Sequence, residues 1–136
     1  MSNYIILSQK SWNKSLLEDL SLKTDDNWVL ISSKDDFNND NLKKINPDLI
    51  YHFASDADVR KSFDYPYEII SNNSISTLNL LESLRVISSK AVIILCSTSE
   101  VYGVVNKKEI PISEKQAFRP ASPYAVSKCF QDLVSQ

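Results

Sequence analysis

Residues 122–129 read SPYAVSKC and place Tyr124 and Lys128 four positions apart, directly after a Ser-Pro pair. In a helix that spacing puts both side chains on one face. A phenol with its ordinary pKa near ~10 is a poor base at neutral pH. A cation about 4 Å away, at an effective dielectric of ~20, favours the phenolate by about 4 kcal/mol. The pair then becomes an acid–base device suited to a sugar or alcohol hydroxyl, with a hydroxyl from Thr98 holding the substrate oxygen. Tyr-x-x-x-Lys also arises on ordinary helices, as a surface tyrosine near a solvated lysine. Here it follows Ser-Pro, and a Ser/Thr cluster, CSTSEVYG (96–103), lies some two dozen residues upstream. Those neighbours favour chemistry.

The elements that must position these groups alternate along the chain. YIIL (4–7), WVLIS (28–32), DLIYHFA (48–54) and AVIILCS (91–97) are short apolar runs that read as strands. Between them, Trp12, Leu16, Leu17 and Leu20 recur at helical spacing after Ser11. Phe37, Leu42 and Ile45 mark a shorter helix, ended by Asn46-Pro47. A long helix is expected over 66–89, with Ile69, Ile70, Ile75, Leu78, Leu81, Leu84 and Ile87 as its apolar stripe. A long loop follows the fourth strand, and a last helix begins at Pro123 with Ser122 as N-cap. Its packing face is expected to be Ala125, Val126, Cys129, Phe130 and Leu133, opposite Tyr124 and Lys128.

This order predicts an α/β fold, a doubly wound parallel sheet of about four strands covered on both faces, a partial Rossmann-type domain over 1–136. In such sheets ligands bind beyond the carboxyl ends of the strands, which places Thr98, Ser99 and Glu100 in the crevice. For Glu100 the plain alternative is a solvated loop carboxylate.

Composition narrows the function classes. A net charge of -2 over 136 residues gives no electrostatic case for nucleic acid or an anionic membrane. No apolar run approaches the ~20 residues of a membrane span, and the start lacks the basic region of a signal peptide. A cytoplasmic protein with Cys96 and Cys129 as reduced core thiols is expected, and the sequons at Asn13 and Asn72 are chance matches.

The blocks YHFASDADVRKSFDYPYEIISNNSISTLNLLESLR, ILCSTSEVYG and RPASPYAVSK together resemble the extended short-chain dehydrogenase/reductase family. Within it the nucleotide-sugar epimerases and dehydratases are most similar, and STSE is the form found in GDP-mannose 4,6-dehydratases. The resemblance covers about 48–134. It implies NAD or NADP as cofactor and a nucleotide sugar as substrate, with oxidation at C4 and loss of water across C5–C6. Tyr124 is then the base for the sugar hydroxyl, Lys128 lowers its pKa and holds the cofactor ribose, and Thr98 hydrogen-bonds the reacting oxygen. Glu100 abstracts the C5 proton with Ser99 beside it, and Ala54 lies against the cofactor. His52, Asn73 and Thr77 also match family positions and read as structural.

One feature departs from the family. Its first strand leads into a glycine-rich turn that lets backbone N–H groups approach the pyrophosphate. This chain has a single glycine, Gly103, where average usage of ~7% would give about nine. Gln9, Lys10 and Trp12 stand in the turn instead, and Asp35 or Asp36 is only loosely placed to hold a ribose. Residues 1–47 are therefore an atypical βαβα start, with a faint similarity to formyltransferase-like proteins. Family members are more than twice this length, so a truncated relative is expected. The rival expectation is a non-catalytic Rossmann-like module that works in a homo-oligomer or with a partner chain.

Overall fold

The computed structural model describes residues 1–8, 19, 24–31 and 37–136. The helix expected from Ser11, the turn with Gln9, Lys10 and Trp12, and the Asp35–Asp36 pair lie outside them. The described residues form two compact units, Met1–Ser55 with Leu78–Cys96, and Asp56–Thr77 with Ser97–Gln136.

The first unit holds the sheet. Strands β1 (Asn3–Leu7), β2 (Asn27–Ile31), β3 (Leu49–His52) and β4 (Val92–Leu95) are all parallel, in the order β2-β1-β3-β4. The chain steps from β1 to one neighbour and then to the other, so strand order reverses between β1 and β3. This is the doubly wound, Rossmann-like α/β arrangement. Register pairs Ile5 with Val29 and Ile50, and Ile50 with Ile93. Because side chains alternate across a strand, these residues share one face.

That face carries the core. Ile5, Leu7, Ile31 and Ile50 pack with Leu42 of helix α1 (Asn39–Ile45) and with Leu80 and Leu84 of helix α3 (Pro66–Val86). Asn38 caps α1 by accepting the Asn41 N–H at 2.9 Å, and Asn46 ends it in the left-handed region at φ 47°. Asparagine tolerates that conformation better than branched residues, and Pro47 then prevents continuation. The opposite face bears a row of rings: Tyr4 lies 4.6 Å from Trp28, Trp28 6.1 Å from Tyr51, and Tyr51 6.0 Å from Phe53.

Two expectations fail at β4. The sheet was expected to be covered on both faces, yet Val92 and Ile94 are 62% and 43% exposed. β4 is the edge strand, and these two residues point away from the face where Ile93 meets the core. Cys96, expected in the core, is exposed just past the strand end, whereas Cys129 is buried. Neither is in a disulfide.

The second unit contains a short helix α2 (Lys61–Asp64), the first half of α3, two 3-10 turns (Ser99–Tyr102 and Lys107–Glu109) and helix α4 (Pro123–Val134). The α3 stripe also needs correction. Ile75 and Leu78 are 53% and 42% exposed, while Ile69, Asn73, Thr77, Leu80 and Leu84 are buried. These five recur every three or four residues, so the inward face of α3 is apolar at its ends and polar in its middle.

Candidate functional site

Thr98 caps the Ser99–Tyr102 turn from an extended backbone, φ -151° and ψ 149°. Its Oγ1 accepts the Glu100 N–H at 3.3 Å, which leaves its own hydroxyl proton to donate. Ser99 and Glu100 are exposed on the turn. The turn closes at Gly103, with φ 61° and ψ -142°, a region almost closed to residues with a Cβ.

Tyr124 and Lys128 come from α4. Ser122 caps it as its position predicts, accepting the Ala125 N–H at 3.1 Å, and Pro123 occupies the first turn. One turn separates the pair, and Lys128 Nζ lies 5.9 Å from the centroid of the Tyr124 ring. That is within reach of the negative face of the ring. Both are buried, at 6% and 4% exposure. Away from water, the coupling between an ammonium and a phenol strengthens.

The expected division of α4 into a polar site face and an apolar packing face does not hold. Val126 and Leu133 are 45% and 62% exposed, and Tyr124, Ser127, Lys128 and Gln131 are buried. A polar face can be buried when most of its atoms are paired, and a network pairs them while leaving Gln131 Oε1 buried without a partner among the described residues. Ser127 Oγ donates to the Tyr124 carbonyl at 2.7 Å and accepts from Asn73 Nδ2 at 3.0 Å. Asn73 also grips Asp56, donating to its carbonyl at 3.0 Å and accepting its N–H at 2.7 Å. Gln131 Nε2 donates to the Asn73 carbonyl at 3.0 Å and to Thr77 Oγ1 at 2.6 Å. The Asn73 and Thr77 positions thus brace the helix that carries Tyr124.

Two contacts tie the turn to that helix. Ser97 Oγ donates to Asp132 Oδ2 at 2.5 Å, and the Val101 carbonyl faces Cys129 Sγ at 4.0 Å. Thr98, Ser99 and Glu100 are strung between these anchors, so the second unit gathers them with Tyr124 and Lys128. Burial raises the Cys129 thiol pKa, and the charge of Asp132 adds to the rise. That thiol stays protonated. Ala54 belongs to the first unit, packed against its core, as is His52, buried at the end of β3. Among the described residues no cluster of His, Cys, Asp and Glu could hold a metal ion.

Sequence reasoning missed Glu109. Its Oε2 accepts the Asn106 N–H at 2.7 Å, and its Oε1 accepts from Arg119 Nη2 at 2.9 Å and Gln116 Nε2 at 3.2 Å. These donors draw its carboxyl down to about 2, Asn106 first and then Arg119. No periodic pattern marks it, because its partners sit at irregular spacings in a loop.

Comparison with known proteins places the chain in a family. A family model described as GDP-mannose 4,6 dehydratase matches residues 6–136. A GDP-mannose 4,6 dehydratase from Caenorhabditis elegans is 40% identical over 91 residues, 65% of this chain and 23% of that protein. A UDP-glucose 4-epimerase from Mycoplasma pneumoniae is 31% identical over 100 residues, 71% of this chain and 29% of that protein. The chain therefore spans about a quarter of the length of these curated relatives. The solved structure of the Pseudomonas aeruginosa protein RMD, a complex with NADPH, superposes with a TM-score of 0.77 at 25% identity, over 98% of this chain and 48% of that one. The family match takes in the glycine-poor start from residue 6. Matched almost from end to end, the chain belongs to the GDP-mannose 4,6 dehydratase family.

Proposed function

We propose that this chain carries the proton-transfer residues of a nucleotide-sugar dehydratase that uses NAD or NADP, with a GDP-hexose such as GDP-mannose as the substrate class. The observation that carries the reading is the buried Lys128 Nζ, 5.9 Å from the centroid of the Tyr124 ring, on the helix anchored to the Thr98–Glu100 turn.

Each residue has a role that its surroundings allow. Tyr124 takes the proton from the C4 hydroxyl, and the ammonium of Lys128 stabilises the phenolate that does so. Thr98 donates a hydrogen bond to the same oxygen, since its acceptor side is already engaged by Glu100 N–H. Glu100 removes the C5 proton and returns it to the C6 hydroxyl, which leaves as water as the C5–C6 double bond forms, with Ser99 hydrogen-bonding beside it. A bound nicotinamide would supply a hydride acceptor for C4, with Lys128 holding its ribose.

At the reacting end the residues fit such a cofactor: the buried Lys128 and Tyr124 suit a ribose and a carbinol, and Lys128 would hold the ribose. At the pyrophosphate end the fit is poorer, because Ser8 uses its N–H on the Ile31 carbonyl at 3.2 Å and no glycine precedes residue 103. Weak cofactor affinity follows.

The test is binding and turnover by the full chain. Saturation-transfer NMR with NAD, NADP and GDP-mannose should show contact with the nicotinamide nucleotide at millimolar concentration. Conversion of GDP-mannose to a 4-keto-6-deoxy sugar should vanish in Tyr124→Phe. No contact with either cofactor at that concentration contradicts the enzymatic reading and favours the non-catalytic module.

A further inference from the structure

We infer that Glu109 is a positioning residue, which through Arg119 holds the loop 103–122 in the arrangement that sets Tyr124 against the Thr98–Glu100 turn. The role rests on the reading of Tyr124 given above.

The loop leaves the turn at Gly103 and comes back at Arg119. There the Arg119 N–H donates to the Val101 carbonyl at 2.9 Å, and the Arg119 carbonyl oxygen occupies the space beside Gly103. From Arg119 the chain runs through Pro120 and Ala121 to Ser122, the cap of α4, so the place of Arg119 fixes where that helix begins. Tyr124 lies in its first turn.

One carboxylate gathers both limbs of the loop. Glu109 accepts from Asn106 on the outgoing limb and from Gln116 and Arg119 on the returning limb. The Glu109 and Arg119 side chains are 29% and 39% exposed. A charge-assisted contact in that partial shelter constrains geometry more than an open surface pair does. Beside it, Tyr102 and Phe118 bring their rings to 6.1 Å, an apolar contact between the turn and the returning limb. That contact is soft to rotation and sliding, whereas three directed hydrogen bonds are not.

The experiment uses the full chain labelled with carbon-13 at tyrosine Cζ, the Tyr124 resonance being assigned by its absence in Tyr124→Phe. Glu109→Gln removes the charge at constant size, and Arg119→Gln removes its partner. In both variants the Tyr124 resonance is expected to move and its ionisation constant to change by about threefold or more. The double variant should go no further than either single one, since the two residues act as one unit. Arg119→Lys should restore part of the effect.

Trypsin cleavage after Lys107 and Lys108 reports the loop itself and should accelerate in the Gln variants. If cleavage accelerates while the Tyr124 resonance and titration superimpose on the parent's, Glu109 only staples the loop and the inference is overturned. It is equally overturned if neither changes. Should Glu109→Gln fail to fold, Arg119→Gln and Arg119→Lys read the same pair. Failure of the dehydratase reading would show separately, as no sugar turnover by the parent chain, with the Tyr124 signal still readable.

Discussion

The carbonyl oxygen of Arg119 lies where a side chain at position 103 would have to begin: a Cβ on Gly103 would stand 1.9 Å from it. Gly103 also has φ 61° and is the single glycine of the chain. Gly103→Ala must therefore both strain the backbone and push the returning limb of the loop away. The strain alone costs about 1–3 kcal/mol. Denaturant unfolding should show at least that loss, and α4 should begin to fray at Ser122. A variant as stable as the parent would mean the loop yields freely here.

Acid should release the same loop. The Glu109 carboxyl is held at about 2 in the folded chain, against an ordinary 4.5. A carboxylate lowered by folding is protonated first in the unfolded state as pH falls. Its contribution is complete above about 4.5, shrinks below that, and is gone by about 2. Glu109→Gln lacks that contribution at every pH. Unfolding midpoints measured from neutrality down through this window should show the gap between parent and variant closing. A constant gap contradicts the assignment.

The buried network makes a third demand. Asn73 is fully buried and joins Asp56, Ser127 and Gln131. Asn73→Ala leaves the Asp56 N–H and carbonyl without the side chain that met them. It also strips the buried Ser127 hydroxyl of its Asn73 donor, and a buried group so left costs about 1–3 kcal/mol. Thermal unfolding should report a loss of that order, and Tyr124 should become more accessible because Ser127, which holds its carbonyl, loses its brace. A surface-like response, within about 0.5 kcal/mol, would show that the network is not sealed from water.

Much of this was legible in the letters. Four apolar runs became four parallel strands, and Ser122-Pro123 starts a helix as such a pair should. Local signals of this kind depend on neighbours a few residues apart. The failures have a common cause. Ile75 and Leu78 look like core residues on α3, yet Asn73 and Thr77 take the inward positions because Ser127 and Gln131, each 54 residues away, satisfy them. Apolar periodicity carries no trace of such distant pairing. Val126 and Leu133 were misplaced for the same reason, since the partners of Ser127 and Gln131 turn the polar side of α4 inward. Gly103 stood out by its rarity, but the Arg119 carbonyl that requires it became visible only in the fold.

The central claim is that Lys128 makes the Tyr124 phenol a stronger acid. The direct measurement is the ionisation of Tyr124, followed by its Cζ resonance, in the parent chain and in Lys128→Met, which keeps length and burial but removes the charge. The account predicts that Tyr124 ionises at clearly lower pH in the parent, by about tenfold or more in its ionisation constant. Coincident titrations in the two proteins would contradict it.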